Sequence, residues 1–317
     1  MKYSIAIPGY KGKFLFKCIE SILCQDYADF ELIIVNDASP DNLDDIVNQF
    51  NDSRIRYFKN EKNCGAENVV DNWNICLSYA QGDYFILMGD DDELMPNYLS
   101  TFDRLIKNFP DLNVYHCRSF IINDQSDIIR LTPSWPERES VYENIWHRMK
   151  GLRSQYISDF LYSREHLVSK GGFFKLPLAW ASDDITSFEA SMSKGIAHTQ
   201  EPIFCYRESD TTISNSGSVD LKFKAIREEE IWYDNFLKNM QPEKSIDFYF
   251  YQNIKAEKNK YFLTKRIETI AYSGIRERFI FRDFLFFFKN KKQYNLTFKQ
   301  VIYAFILALK KSKSKNI

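Results

Sequence analysis

The residues of this chain best suited to chemistry are aspartates, and they gather at three places. Gly89-Asp90-Asp91-Asp92-Glu93 directly follows an apolar run, so three consecutive carboxylates crowd the end of what reads as a buried strand. Such a group repels itself unless a cation is present, and Mg²⁺ or Mn²⁺ prefers carboxylate oxygen with phosphate completing its shell. A helix start before Pro96 would use one aspartate for its dipole and leave two over. Asp37, in Val35-Asn36-Asp37-Ala38-Ser39-Pro40-Asp41, again lies just past a strand-like run. A carboxylate there can accept the imino N–H of a uracil or thymine ring, while Ser39 or Asp41 caps the next helix. The third place is Asp183-Asp184, after Ala181-Ser182 and ahead of a helix-like stretch; read alone, it is an N-cap pair.

These residues need a frame, and the first 115 residues alternate strand-like and helix-like patterns. Residues 3–7, 31–35, 55–58 and 84–88 are apolar, β-rich runs. Between them Phe14, Cys18 and Ile22, then Leu43, Ile46, Val47 and Phe50, then Val69, Trp73, Cys76 and Leu77 keep helical spacing. Leu99, Phe102, Leu105, Ile106 and Phe109 do the same. Such alternation predicts an α/β fold, Rossmann-like, with a mostly parallel central sheet and helices on both faces. Ligands bind beyond the carboxyl ends of such strands, which is where the aspartates lie. From residue 114 the pattern changes. A hairpin over 117–131 turns at 123–126, helices are expected over 141–153 and 185–192, and a strand over 203–207. Residues 208–218 are polar and read as a mobile loop.

Composition narrows the class. With 317 residues, 44% hydrophobic and 27% charged, the chain is neither disordered nor a small disulfide scaffold. Its six cysteines show no zinc or redox spacing, and the short apolar opening before Pro8 is no signal peptide, so a cytoplasmic setting is expected. No run reaches the roughly 18–20 apolar residues of a membrane span. The net charge of −1 hides a division: residues 251–317 carry about +12 and the first 250 about −13. In that tail Phe281, Phe284, Leu285 and Phe288, and Val301, Ile302, Phe305 and Leu309, recur at helical spacing. Basic amphipathic helices of this kind suit an anionic membrane surface, and their apolar faces argue against nucleic acid.

Several ordered segments resemble the family 2 glycosyltransferases, over roughly residues 3–215. Ile5-Ala6-Ile7-Pro8-Gly9-Tyr10 resembles the family's opening strand and nucleotide loop. Glu31 through Asn36-Asp37-Ala38-Ser39 resembles its Asp-Asp-Gly-Ser turn, with Asn36 replacing the first aspartate. Asn74, Ala80 and Gly82 keep a family spacing, although Trp73 replaces a common Arg. Met88 through Asp92, then Pro96, resembles the metal segment, with Gly89 where many members carry Asp.

The resemblance implies a GT-A fold and a nucleotide-sugar donor, usually UDP-linked, held with Mn²⁺ or Mg²⁺. Carried over, Asp37 contacts the base and Asp90 or Asp91 the ribose, while Asp91 and Asp92 hold the metal. Pro8, Gly9 and Tyr10 line the base pocket, Asn74 belongs to the donor side, and Arg207 meets the diphosphate beside a lid at 209–218. Lys11 and Lys13 lie beside the loop and are expected in solvent. Inverting members carry a catalytic carboxylate ahead of a helix in this region. Asp183 is the first choice for that general base and Asp184 the second. The expected organisation is a transferase domain over 1–218, with a nucleotide half (1–115) and an acceptor half (116–218), then a helical basic extension over 219–317. The expected function is inverting sugar transfer to a glycan or lipid-linked acceptor in bacterial polysaccharide synthesis, peripheral to the cytoplasmic face of the membrane. The alternatives are a non-catalytic binding module and a nucleotide-dependent enzyme of another class. The opening turn lacks the glycine-rich dinucleotide fingerprint and the Walker lysine loop.

Overall fold

A computed structural model describes residues 2–208 and 217–314. It divides into two compact units, Met1–Lys175 with Ala181–Thr212, and Leu176–Trp180 with Ile213–Ile317.

The first unit is built on a ten-stranded sheet. Its opening half runs β1 (Tyr3–Gly9), α1 (Leu15–Leu23), β2 (Phe30–Asn36), α2 (Leu43–Val47), β3 (Ile55–Lys59), α3 (Val69–Tyr79) and β4 (Tyr84–Leu87). β3, β2, β1 and β4 lie side by side and all parallel, with Gly9 opposite Asn36, so two loops open at the same end. β2 is buried at every position, its apolar run 32–35 flanked by the buried polar Glu31 and Asn36. α1 buries Leu15, Cys18, Ile19 and Ile22, the side its spacing marks. Asn42, rather than Ser39 or Asp41, caps α2 by accepting from the Asp45 N–H.

The second half of the sheet is mixed. After β5 (Glu93–Leu94) and α4 (Tyr98–Asn108) come β6 (Val114–Ile122), β7 (Ile128–Leu131), β8 (Arg138–Glu139), α5 (Val141–Met149) and β9 (Phe160–Ser163). Then follow α6 (Arg164–Ser169), α7 (Ser182–Ser191) and β10 (Ile196–Arg207). β9 inserts antiparallel between β4 and β6, β10 pairs parallel with β6, and β5 lies antiparallel at the far edge. The sheet is therefore parallel through its nucleotide half and mixed beyond it. Tyr3, Ile5, Ile86, Tyr98, Phe102, Tyr115 and Phe204 anchor one continuous core.

The second unit is helical: α8 (Val219–Asn239), α9 (Ser245–Thr269), a π-helical turn over Ile270–Gly274, α10 (Ile280–Lys289) and α11 (Phe298–Ser314). Lys265 pairs with Glu229 across α8 and α9, and Arg266 with Glu230. Phe223, Ile267, Ile270, Phe287, Tyr294 and Val301 make its core. The apolar residues of α10 divide between two faces: Phe284, Phe287 and Phe288 pack inward, while Phe281, Leu285 and Phe286 stay exposed. No described helix is long and apolar enough to cross a membrane.

Candidate active site

Parallel strands deliver Asp37 and the acidic segment to one end of the sheet. Asp37 follows β2 and is nearly buried at 6% exposure; its N–H donates to the Gly9 carbonyl at 2.9 Å. Its Oδ1 accepts from Asn60 Nδ2 at 2.7 Å, its Oδ2 from Asn63 Nδ2 at 3.1 Å, and both oxygens from the Cys64 N–H at 3.1 Å. Three donors leave room on a carboxylate with about four lone-pair sites, enough for one imino N–H. Asn60 also donates to Asn72 Oδ1. Asn36, where many relatives of the resembled family carry aspartate, donates to Tyr57 Oη at 2.8 Å and accepts from the Ser39 N–H. Tyr57 in turn donates to Asp44, so a carboxylate at 36 would face an oxygen with no proton to give. Ala38 takes a left-handed backbone (φ 47°), which swings the turn away from Asp37.

The acidic segment assigns a separate partner to each carboxylate. Asp90 Oδ2 accepts from the N–H groups of Tyr10 (2.8 Å) and Lys11 (2.7 Å), clamping the Pro8-Gly9-Tyr10 loop. Asp92 Oδ1 accepts from the Arg207 N–H at 2.8 Å. Among the described residues the Asp91 carboxylate meets the Lys11 ammonium alone, at 3.3 Å. Burial, then the charge of Asp91, pushes Asp90 up to about 6, and the same two causes push Asp92 well above the usual carboxylate range. A segment so under-compensated, with a side-chain ammonium standing beside Asp91, fits a divalent cation on Asp91 and Asp92. Gly89 has a physical reason: a Cβ there would come within 2.6 Å of Asp92 Oδ2, so any side chain would displace that carboxylate.

Arg207 is fully buried and spends its guanidinium on protein. Nε donates to the Asp91 carbonyl at 2.7 Å, and the terminal nitrogens reach Asn123 O, Glu93 and Ser126. The ring of Phe14 lies 4.2 Å beneath it. In this arrangement Arg207 braces the acidic segment, with each guanidinium nitrogen bonded to protein. Asn74 Oδ1 accepts from the Phe173 N–H at 2.8 Å and crowds Gly172. Asn72, two residues earlier on α3 and on another helix face, is the one joined to Asp37 through Asn60. Lys13 pairs with Asp124 on the 123–126 turn. Residues 209–216 of the expected lid lie outside the described residues.

Asp183 and Asp184 open α7, behind Ala181 in a left-handed conformation (φ 73°). Asp184 is committed: its Oδ1 accepts from Arg148 Nε at 2.9 Å. Asp183 is half-buried, and burial, then the charge of Asp184, raises it to about 7. The turn Ile157–Asp159 links this pair to the acidic segment. Gln155 Nε2 donates to Ser187 Oγ on α7, while Ser158 Oγ accepts from the Gly89 N–H and reaches Asp92 Oδ2 at 3.5 Å. Three peptide steps separate Gln155 from Ser158, a span of at most about 11 Å. Sequence reasoning missed Asn60, Asn63, Cys64, Asn72, Ser158 and Arg148, because single polar residues in loops and on helices carry no periodic signal. Another group, Glu139, Glu143 and His147, brings ligand atoms within 4.8 Å. Arg153 already lies 2.8 Å from Glu139 and 3.3 Å from His147, so a guanidinium holds the place of a cation there.

The model of the glycosyl transferase family 2 matches residues 4–167. The chain is 37% identical over 103 residues to the GalNAc(5)-diNAcBac-PP-undecaprenol beta-1,3-glucosyltransferase of Campylobacter jejuni, 32% of this chain and 33% of that one. Its matches span about a third of the length of such curated relatives. Among solved structures it resembles S. aureus TarS in complex with UDP-GlcNAc, with TM-score 0.65, 15% identity and coverage of 99% of this chain and 92% of that one. It also resembles the mannosyltransferase PcManGT from Pyrobaculum calidifontis in complex with GDP-Man and Mn²⁺, with TM-score 0.54, 14% identity and coverage of 98% and 86%.

Proposed function

The chain belongs to glycosyl transferase family 2, and from that premise we propose a metal-dependent inverting transferase. It moves a sugar from a UDP-sugar to a hydroxyl of a glycan or lipid-linked acceptor in bacterial polysaccharide assembly. The observation that carries this reading is Asp183, half-buried, raised to about 7, and tied through residues 155–158 to the segment of Asp91 and Asp92. Asp37 accepts the imino N–H of the base, and Asp90 keeps the loop of Pro8, Gly9 and Tyr10 closed around it. A divalent cation, Mn²⁺ or Mg²⁺, held by Asp91 and Asp92 supplies neutralisation of the departing diphosphate. Lys11, freed from Asp91, is then available to a phosphate oxygen. Asp183 removes the acceptor hydroxyl proton as that oxygen bonds to the anomeric carbon, and the bond from that carbon to the nucleoside diphosphate breaks. Arg148 holds Asp184 in place beside Asp183, and the charge of Asp184 adds to the proton affinity of Asp183. Arg207 acts by positioning Asp91 and Asp92. Titration of UDP with and without Mn²⁺, alongside donor turnover in Asp183→Asn, tests the reading. Metal-dependent binding with turnover lost in the variant supports it; binding with turnover unchanged overturns the base, and no binding overturns the donor.

We also propose that the C-terminal helices hold the enzyme on the cytoplasmic face of an anionic membrane. Residues 276–317 carry eleven Lys and Arg against two acids. Phe281, Leu285 and Phe286 share the solvent face of α10 with Arg282 and Lys289. Exposed aromatics framed by cations suit the lipid headgroup boundary. Flotation with phosphatidylglycerol vesicles, lost with phosphatidylcholine alone and in Phe281→Ser/Leu285→Ser, supports this. Equal recovery of wild type and variant overturns it.

A further inference from the structure

Tyr156 and Tyr206 stack face to face, with ring centroids 3.9 Å apart and planes 17° apart. Both rings are half-buried and pack against the edge of the core. Their position follows from their neighbours in the chain. Tyr206 precedes Arg207, whose N–H holds Asp92. Tyr156 lies between Gln155, bonded to α7, and Ser158, which touches Asp92. The stack is therefore bracketed by the metal candidates on one side and the helix of Asp183 on the other. The charge of Asp159 acts most strongly on Tyr156, ahead of Arg130 and Glu208, and that of Asp92 acts most strongly on Tyr206. Arg130 and Glu208 form an ion pair of 2.6 Å, both more than half exposed.

We propose that this stacked pair is the platform for the acceptor, binding a pyranose ring by its apolar face. The inference rests on the transferase reading and deepens it. A pyranose presents C–H groups on its face and hydroxyls around its rim. The negative face of an aromatic ring attracts the former, and the exposed Arg130–Glu208 pair offers charged partners to the latter. The core anchors the pair on one side, and the part of each ring left open is available to a ligand. A sugar on the platform would hold a hydroxyl between Asp183 and the cation site.

Saturation-transfer NMR tests this with octyl α- and β-glycosides of glucose, galactose, N-acetylglucosamine and N-acetylgalactosamine, each with and without UDP and Mg²⁺. The expected result is transfer to ring protons of at least one sugar. Affinity should fall about three- to tenfold in Tyr156→Ala and Tyr206→Ala and be retained in the Phe variants. UDP titration of the same proteins reports that the variants are folded. No transfer to any sugar in the wild type, or equal transfer in the Ala variants, overturns the platform. Failure of the wild type to bind UDP instead counts against the transferase reading, and the two failures are read separately.

Discussion

Asp37 and the Asp90–Asp92 segment lie past two strands of the same parallel sheet, yet they are opposites in their surroundings. Asp37 is met by three amide donors from residues 60–64, so its charge is provided for before any ligand arrives. The acidic segment holds more charge than its partners offset, and burial raises Asp90 and Asp92. The same contrast recurs at α7, where Asp184 is paired with Arg148 and Asp183, among the described residues, forms no ion pair. Satisfied carboxylates fix geometry and read a shape. Under-compensated ones suit an exchange of charge, which in the proposed reading is with a cation at one place and a proton at the other.

The sharpest break of this comparison is Asp183→Asn. Transfer should fall by about a thousandfold or more with UDP affinity unchanged. In the wild type the rate should climb with pH and level off above about 7, because only the ionised carboxyl accepts a proton. A pH-independent rate would remove Asp183 from the chemistry. Next comes Asp91→Ala, expected to abolish the rise in Tm that Mg²⁺ gives the wild type and to cut turnover about a hundredfold. Asp37→Ala should weaken UDP binding about ten- to a hundredfold, the worth of a hydrogen bond to a charged group, while leaving the Mg²⁺ response intact. Loss of both together would erase the distinction between the two places.

The smallest effect concerns stability without metal. Asp92 has its folded pKa raised, so the folded state holds its proton more tightly than the unfolded chain. Stability is then greatest below the unfolded value near 3.8 and declines as pH rises from there towards the folded value. In EDTA at pH 7, Asp92→Asn should raise Tm by about 2–4 °C, with a flatter pH dependence than the wild type. A lower Tm would show that the backbone N–H of Arg207 needs the charge.

Much of this arrangement was legible because its signals are local. The parallel strands of the nucleotide half are apolar runs ending in turn residues, and Asp37 and Asp90–Asp92 stand directly beyond two of them. The GT-A frame followed from that alternation together with the family resemblance. β9 was not legible: four residues give no periodicity, and their place between β4 and β6 is an antiparallel pairing of distant segments. β5 and β8, two residues each, were invisible for the same reason.

The sequence by itself determined which residue types are available and at which strand ends they stand, because backbone propensity and apolar spacing act over a few residues. Only the tertiary structure decided what each carboxylate does. Asp183 differs from Asp184 because Arg148 comes from another helix. Arg207 braces the acidic segment because β5 and the 123–126 turn surround it. Asn72 joins Asp37 through Asn60 while Asn74 bonds to the Phe173 N–H, because helix phase turns the two to different neighbours. Partners separated by tens of residues set the charge, and that charge separates a fixed contact from a reactive one.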